Sequence, residues 1–402
     1  MLVKERSFFD FQENKRILQQ LLKIDAKGKL KTQSSFVSLD HHNITKILGT
    51  RDKTEKCINR FQNHNESLIP FAIKDNFCTP HLPTTCSSSL LPNYLPSFTS
   101  TVLSLLGRNS KYILIGKCCM DEFGCGSFGT NCESQIGNHW LGDEFCAGGS
   151  SNGCAYAVSQ DAASFAICSD TGGSCRTPAA LHNLIGYKPS FGLISRHGMI
   201  QMGNELDTVG IISKRISTIK EISNDANDPT LSTTMISKCL SNSEYRPSEF
   251  ELLIPDFYEL IQTKEDASMQ THLSHDVKYR IISGKLSSFK ENKLGFSKRS
   301  EALRIAINDY FKRIFDNSSK FPIIVLPCIQ QRKLLKRQVK DGKTIDNNVT
   351  KYDMFTILSN ICNLPTLTVP IGEHGYPLQF IARPYTDYEL INILIDISEN
   401  YK

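Results

Sequence analysis

The sequence contains one tryptophan, no C-x-x-C pair and no apolar run approaching the ~20 residues that cross a bilayer as a helix. Without such a run no helical membrane span is expected. Without paired cysteines, and with Cys118 and Cys119 adjacent, neither a tetrahedral zinc site nor a small disulfide framework fits. The 14 cysteines therefore read as mostly buried free thiols in a reducing compartment. No basic run is interleaved with aromatics in the manner of single-strand binders, and the net charge of +5 suits an anionic partner such as tRNA without requiring one. Acid-poor sequence is also missing from the N-terminus. Lys4, Arg6, Lys15, Arg16 and Lys23 are accompanied by Glu5, Asp10 and Glu13, which reads as a first helix rather than a transit peptide.

What remains is ordinary globular material, 40% hydrophobic and 22% charged. Residues 7–60 read as helices and polar connections. Apolar strand candidates follow at 68–73, 112–115, 164–168, 323–326, 366–370 and 378–382, with helices at 99–106, 152–160, 300–310 and 387–401. Strands alternating with helices predict an α/β layered fold. The stretch from Ser213 to Asp276 is rich in Ser, Asn, Thr and charge and reads as a peripheral insertion. The expected organisation is one domain over 1–402, divided into an N-terminal helical region (1–60), a catalytic core (61–212), that insertion (213–276) and a C-terminal part of the core (277–402).

Two glycine–serine loops carry chemistry. One is Gly148-Gly149-Ser150-Ser151-Asn152-Gly153, the other Asp170-Thr171-Gly172-Gly173-Ser174-Cys175-Arg176, and Lys74 closes an apolar run upstream of both. Glycines let several backbone N–H groups converge on one point, as the oxyanion of a tetrahedral intermediate requires. Ser174 is thus the nucleophile candidate. A phosphate loop is the competing reading, but the second loop has neither a Lys-Ser or Lys-Thr ending nor G-x-G-x-x-G spacing. Ser150 and Ser151, taken alone, read as helix caps. A nucleophilic serine needs a base. His182 and His197 are available, and so is a buried lysine made neutral by desolvation, with a second serine passing the proton.

The run Ala147–Gly153, continuing through Ser169–Ala180 to Gly186-Tyr187-Lys188-Pro189-Ser190-Phe191-Gly192, resembles the amidase signature family over residues 65–212 and 276–400. The resemblance implies an α/β fold with a mixed central β-sheet covered by helices on both faces. It also implies a Ser–cis-Ser–Lys triad: Ser174 as nucleophile, Ser150 as proton relay and Lys74 as base, with Thr171, Gly172 and Gly173 forming the oxyanion hole. This chain departs from the family pattern at Asn152, Cys154 and Cys175.

Further stretches (Gly116–Phe123, Gly192–Gly198, Leu206–Gly210, Asn363–Pro370 and Gln379–Tyr385) resemble one branch of that family, the glutaminase (A) subunits of glutamyl-tRNA(Gln) amidotransferases. What that branch implies is ammonia release from L-glutamine, with Arg304 holding the α-carboxylate and Asp353 the α-amino group. It also implies a B-type partner that uses ATP and Mg, a small third subunit in fungal versions, and contact with Glu-tRNA(Gln) mainly through the partner. The A-type chemistry itself calls for no metal or cofactor. The short 213–276 segment and the Asn/Ser/Lys-rich loops point to a mitochondrial version, with a bacterial cytoplasmic origin as the alternative. A free-standing amidase on another small amide and a scaffold protein without turnover are the other readings of the same residues.

Overall fold

The computed structural model describes residues 36–39, 69–132, 136–203, 205–227, 273–274, 276–278, 280, 296–317, 321–340, 352–372 and 375–400. In chain order these form β1 (Phe36–Leu39), β2 (Ile69–Lys74), α1 (Thr101–Leu106), β3 (Tyr112–Cys118), β4 (Gly137–Asn138), β5 (Gly142–Cys146), α2 (Asn152–Ser159), β6 (Phe165–Asp170), α3 (Arg176–Leu181), β7 (Ile185–Lys188) and β8 (Thr208–Ser213). There follow α4 (Ile216–Asp225), α5 (Phe296–Asp316), β9 (Ile324–Pro327), α6 (Lys336–Lys340), α7 (Ile357–Ile361), β10 (Thr366–Ile371), β11 (Tyr376–Ile381) and α8 (Asp387–Asn400).

Nine strands form one sheet in the order β1-β3-β2-β6-β8-β7-β10-β11-β9, and β4 and β5 pair separately. The sheet is mixed. Strand β2 runs parallel to both β3 and β6, whereas the pairs from β6 through β8, β7, β10 and β11 to β9 are antiparallel. The middle strands read as continuous apolar runs because both faces are covered. Alternate residues show this directly. Phe71 and Ile73 of β2, and Phe165 and Ile167 of β6, pack with residues of α1, α4 and α8. Ala72, Ala166 and Cys168 pack on the other face against Cys154, Ala155 and Val158 of α2 and Ala179 of α3.

Three expectations need correction. Phe36–Leu39 lies in the region read as helical, yet it pairs antiparallel with β3 and adds a strand to the sheet; the rest of 1–60 lies outside the described residues. Strands β7 and β8 stand where only motifs are read from the sequence; each is short and carries a glycine, which weakens a strand signal. The boundary at Ser213 falls too early, because Ile216, Ile219 and Ile222 of α4 are buried in the main core. Most of the remaining insertion lies outside the described residues.

Candidate active site

Lys74 is the last residue of β2 and is two residues from Ala72, so it faces the α2 side of the sheet. Its Nζ donates to Ser150 Oγ at 2.7 Å and to Ser169 Oγ at 2.8 Å, with the side chain fully buried. Burial pushes the Lys74 pKa below the ordinary lysine value; the thiols of Cys168 and Cys154 and the Asp121 carboxylate oppose that shift without cancelling it. Ser150 is also buried, and the Gly149–Ser150 peptide is cis. Gly149 admits no side chain, because a Cβ there would lie 1.8 Å from Asp121 Oδ2.

The capping role expected for the serines does not appear. Ser151 occupies the N-cap position of α2 but makes no side-chain cap bond; its Oγ donates to the carbonyl of Ser169 at 3.3 Å. Its N–H donates to the carbonyl of Ser174 at 3.1 Å, which joins the two glycine–serine loops directly.

The second loop is built around a buried ion pair. Arg176 donates through Nε and Nη2 to the two Asp170 oxygens at 3.0 and 2.8 Å, a bidentate fit. That guanidinium also reaches Thr356 O, Ser359 Oγ and Asn360 Oδ1, which ties the loop to α7. Asp170 accepts the N–H groups of Gly173 (3.0 Å) and Cys175 (3.1 Å). Burial alone would raise the Asp170 carboxyl, but the charge and hydrogen bonds of Arg176 outweigh it and hold the group well below the usual carboxylate range. Gly173 has φ +128°, and a Cβ there would lie 2.5 Å from Thr356 Oγ1, so only glycine serves at this turn. Of the three expected oxyanion donors, Gly173 gives its N–H to Asp170. Thr171 is oriented through its hydroxyl, which donates to Asp207 Oδ1 at 2.5 Å. Ser174 follows the turn, half-buried, ahead of α3.

Neither histidine has the environment of a base for Ser174. Burial pushes His182 down to about 3, and its ring packs edge-on to Tyr156. His197 is exposed beside Phe98 and Thr101. Asp353 accepts a hydrogen bond from Ser127 Oγ at 2.6 Å; burial raises its pKa to about 6, against the positive charges of Arg280 and Arg176. Arg304 is held by Glu301 of its own helix, Nε and Nη2 each 3.1 Å from a carboxylate oxygen, and the pair is partly exposed. The three departures lie behind the site: Cys154 and Cys175 in the apolar layer under α2, and Asn152 hydrogen-bonded to Cys132.

Sequence reasoning misses Ser169, Asp207 and the loop 121–131. Ser169 and Asp207 sit inside quoted motifs, with no signal of their own. The loop does carry one, since Gly124-Cys125-Gly126-Ser127-Phe128-Gly129 has G-x-G-x-x-G spacing. It follows a single 3-10 turn and precedes no helix, so it does not bind phosphate in the dinucleotide manner. Among the described residues no group of three His, Cys, Asp or Glu side chains would hold a metal ion, no helix is long and apolar enough to cross a membrane, and the cysteines are buried free thiols.

Residues 52–235 match the family model described as Amidase. The A-type subunit of glutamyl-tRNA(Gln) amidotransferase from Thermodesulfovibrio yellowstonii is 30% identical over 81% of this chain and 82% of its own length. Its mitochondrial counterpart from Yarrowia lipolytica is 43% identical over 40% of this chain and 37% of its own. In structure, the A-type protein of Thermotoga maritima superposes with a TM-score of 0.65 at 23% identity, over 94% of this chain and 90% of that one. Allophanate hydrolase of Kluyveromyces lactis gives 0.69 at 20% identity, over 94% of this chain and 69% of that one. The fold, the sequence match along most of a relative's length and the family model agree: the chain belongs to the amidase signature family.

Proposed function

We propose that this chain is the glutamine-hydrolysing component of a glutamyl-tRNA(Gln) amidotransferase, working through a glutamyl acyl-enzyme. The observation that carries the reading is the buried Lys74 Nζ at 2.7 Å from Ser150 Oγ, in a loop hydrogen-bonded through Ser151 to the carbonyl of Ser174. A lysine with a depressed pKa is neutral for part of its time and can accept a proton. Ser174 Oγ attacks the side-chain amide carbon, its proton passes to Ser150 Oγ, and the Ser150 proton passes to Lys74 Nζ. The oxyanion takes N–H bonds from Thr171 and Gly172. Collapse of the tetrahedral intermediate breaks the C–N bond, and the leaving nitrogen takes the proton back along the same path as ammonia. Water then repeats the sequence and releases glutamate.

One anion and one cation suit the two charged ends of an α-amino acid. Asp353, oriented by Ser127, takes the α-amino group, and Arg304, partly exposed and paired with Glu301 of its own helix, takes the α-carboxylate. The ammonia goes to a B-type partner that uses ATP and Mg to convert Glu-tRNA(Gln) into Gln-tRNA(Gln), with a small third protein completing the assembly. This chain's own step uses no cofactor. The similarity to a mitochondrial relative supports the mitochondrial matrix as its compartment. The test is Ser174→Ala in the purified complex: ammonia release from glutamine falls to background, and survival of more than a few per cent of it sinks the assignment.

A further inference from the structure

The loop that carries Ser174 closes into a ring of hydrogen bonds with the turn that carries Asp353. Thr356, fully buried, donates its hydroxyl to the carbonyl of Gly172, 184 residues away. The N–H at the other end of that same peptide, on Gly173, goes to Asp170 Oδ1 at 3.0 Å. Arg176 holds this Asp170 oxygen through Nη2 at 2.8 Å, and its Nη1 returns to the carbonyl of Thr356 at 2.9 Å. The turn itself is anchored. The N–H groups of Thr356 and Ile357 donate to the carbonyl of Asp353 at 3.0 and 2.9 Å, and Gln379 Nε2 donates to the carbonyl of Phe355 at 2.6 Å. Thr171, one residue ahead of the ring, is held separately by Asp207, which also accepts the N–H groups of Met202 (2.8 Å) and Gly203 (3.0 Å).

Two consecutive glycines leave the peptide between them free to rotate, because neither has a Cβ to restrict it. Here the Gly172–Gly173 peptide is gripped at both ends, its carbonyl by Thr356 and its N–H by Asp170. The Gly172 N–H belongs to the peptide immediately before, so its direction follows from that grip. We propose that Thr356 is a positioning residue for the oxyanion hole. Its hydroxyl fixes the plane of the Gly172–Gly173 peptide and so aims the Gly172 N–H at the developing negative oxygen. The proposal rests on the acyl-transfer reading above. Oxyanion donors strengthen their bonds as charge develops, so Thr356 governs kcat. The Asp353 carboxylate keeps its bond from Ser127, and with it the contribution of the α-amino group to KM.

The test is Thr356→Val, which keeps the shape and loses the hydroxyl, with Thr356→Ser as the conservative rescue, in the chain purified with its co-eluting partners. In the valine variant kcat for ammonia release from glutamine falls roughly ten- to a hundredfold, less than when an oxyanion donor is removed outright, and KM stays within about twofold. The acid limb of the pH profile does not move, because Lys74 and Ser150 are untouched. Thr356→Ser recovers most of the rate. A second readout needs no glutamine. An alkyl fluorophosphonate phosphonylates Ser174: the Oγ–P bond forms, fluoride leaves, and the Oγ proton passes to Ser150 and Lys74. The phosphoryl oxygen gains charge where the oxyanion would, so labelling slows on the order of tenfold in the valine variant and recovers in the serine variant. Thr356→Ala carries both measurements if the valine variant does not fold. Wild-type kcat and labelling rates in the valine variant overturn the proposal. So does a serine variant as slow as the valine one, or a rise in KM with kcat unchanged. A wild-type complex that is labelled at Ser174 but releases no ammonia from glutamine overturns the glutamine reading instead, and the labelling rates still decide the role of Thr356.

Discussion

Replacing Ser169 by alanine tests how Lys74 is held. The ammonium or amine of Lys74 has two hydroxyl oxygens within reach, Ser150 at 2.7 Å and Ser169 at 2.8 Å. Asn76 Nδ2 also donates to Ser169 Oγ, at 3.3 Å, but keeps Ile200 O as a second acceptor at 3.1 Å. The bond from Ser151 to Ser169 uses the main-chain carbonyl and survives the change. The loss is therefore concentrated on Lys74, a buried donor left with one partner. That costs about 1–3 kcal/mol. Felt in the transition state, it lowers kcat/KM by a factor of roughly 5 to 150. The pH profile adds a sign. A hydroxyl accepts more strongly from the charged lysine than from the neutral one, so its removal favours the neutral form and depresses the Lys74 pKa further. The acid limb of kcat/KM then moves to lower pH, because the base is neutral earlier as pH rises. Ammonia release from glutamine, followed by a coupled dehydrogenase across the pH range, reads both effects, and Ser169→Thr, which keeps the hydroxyl, recovers most of the rate. An alanine variant within about twofold of wild type, with its acid limb unmoved, refutes the view that Ser169 positions and tunes the lysine.

Gly173→Ala places a side chain at φ +128° and 2.5 Å from Thr356 Oγ1. A strained backbone of this kind costs about 1–3 kcal/mol, so thermal unfolding moves to lower temperature and hydrolysis is lost with the displaced Ser174; unchanged melting argues against the strain. Lys188 is fully buried, and burial, aided by the charge of Arg176, lowers its pKa to about 7 from 10.5. Between those values the folded chain holds it neutral while the unfolded chain binds a proton, so its contribution to stability rises with pH across that window. Urea midpoints taken at about pH 7 and about pH 9.5 differ less in Lys188→Met than in wild type; equal differences would remove Lys188 from the account.

The glycine–serine loops are legible because their chemistry is local. Tight turns need glycine, the acyl site needs a serine on such a turn, and both requirements fall on consecutive residues. The strands with unbroken apolar runs, β2, β3 and β6, are legible for a related reason, since burial on both faces leaves no polar alternation. Strands β7 and β8 are not, and neither is α4, whose polar outer face blends into a hydrophilic stretch although Ile216, Ile219 and Ile222 recur at helical spacing.

The sequence by itself determined where the candidate groups lie: Lys74 at the end of an apolar run, and Ser150 and Ser174 on glycine-rich turns, with their shared role implied by the family resemblance. The tertiary structure decided how those groups are held. Ser169 is 95 residues from Lys74, and it reaches that lysine because β2 and β6 lie side by side, paired at Ile73 and Ile167. Ser127 is 226 residues from Asp353 and meets it through a 2.6 Å hydrogen bond. Strand pairing and loop packing create such contacts. Their energy depends on burial and on a few tenths of an ångström, neither of which is written in the order of residues along a chain.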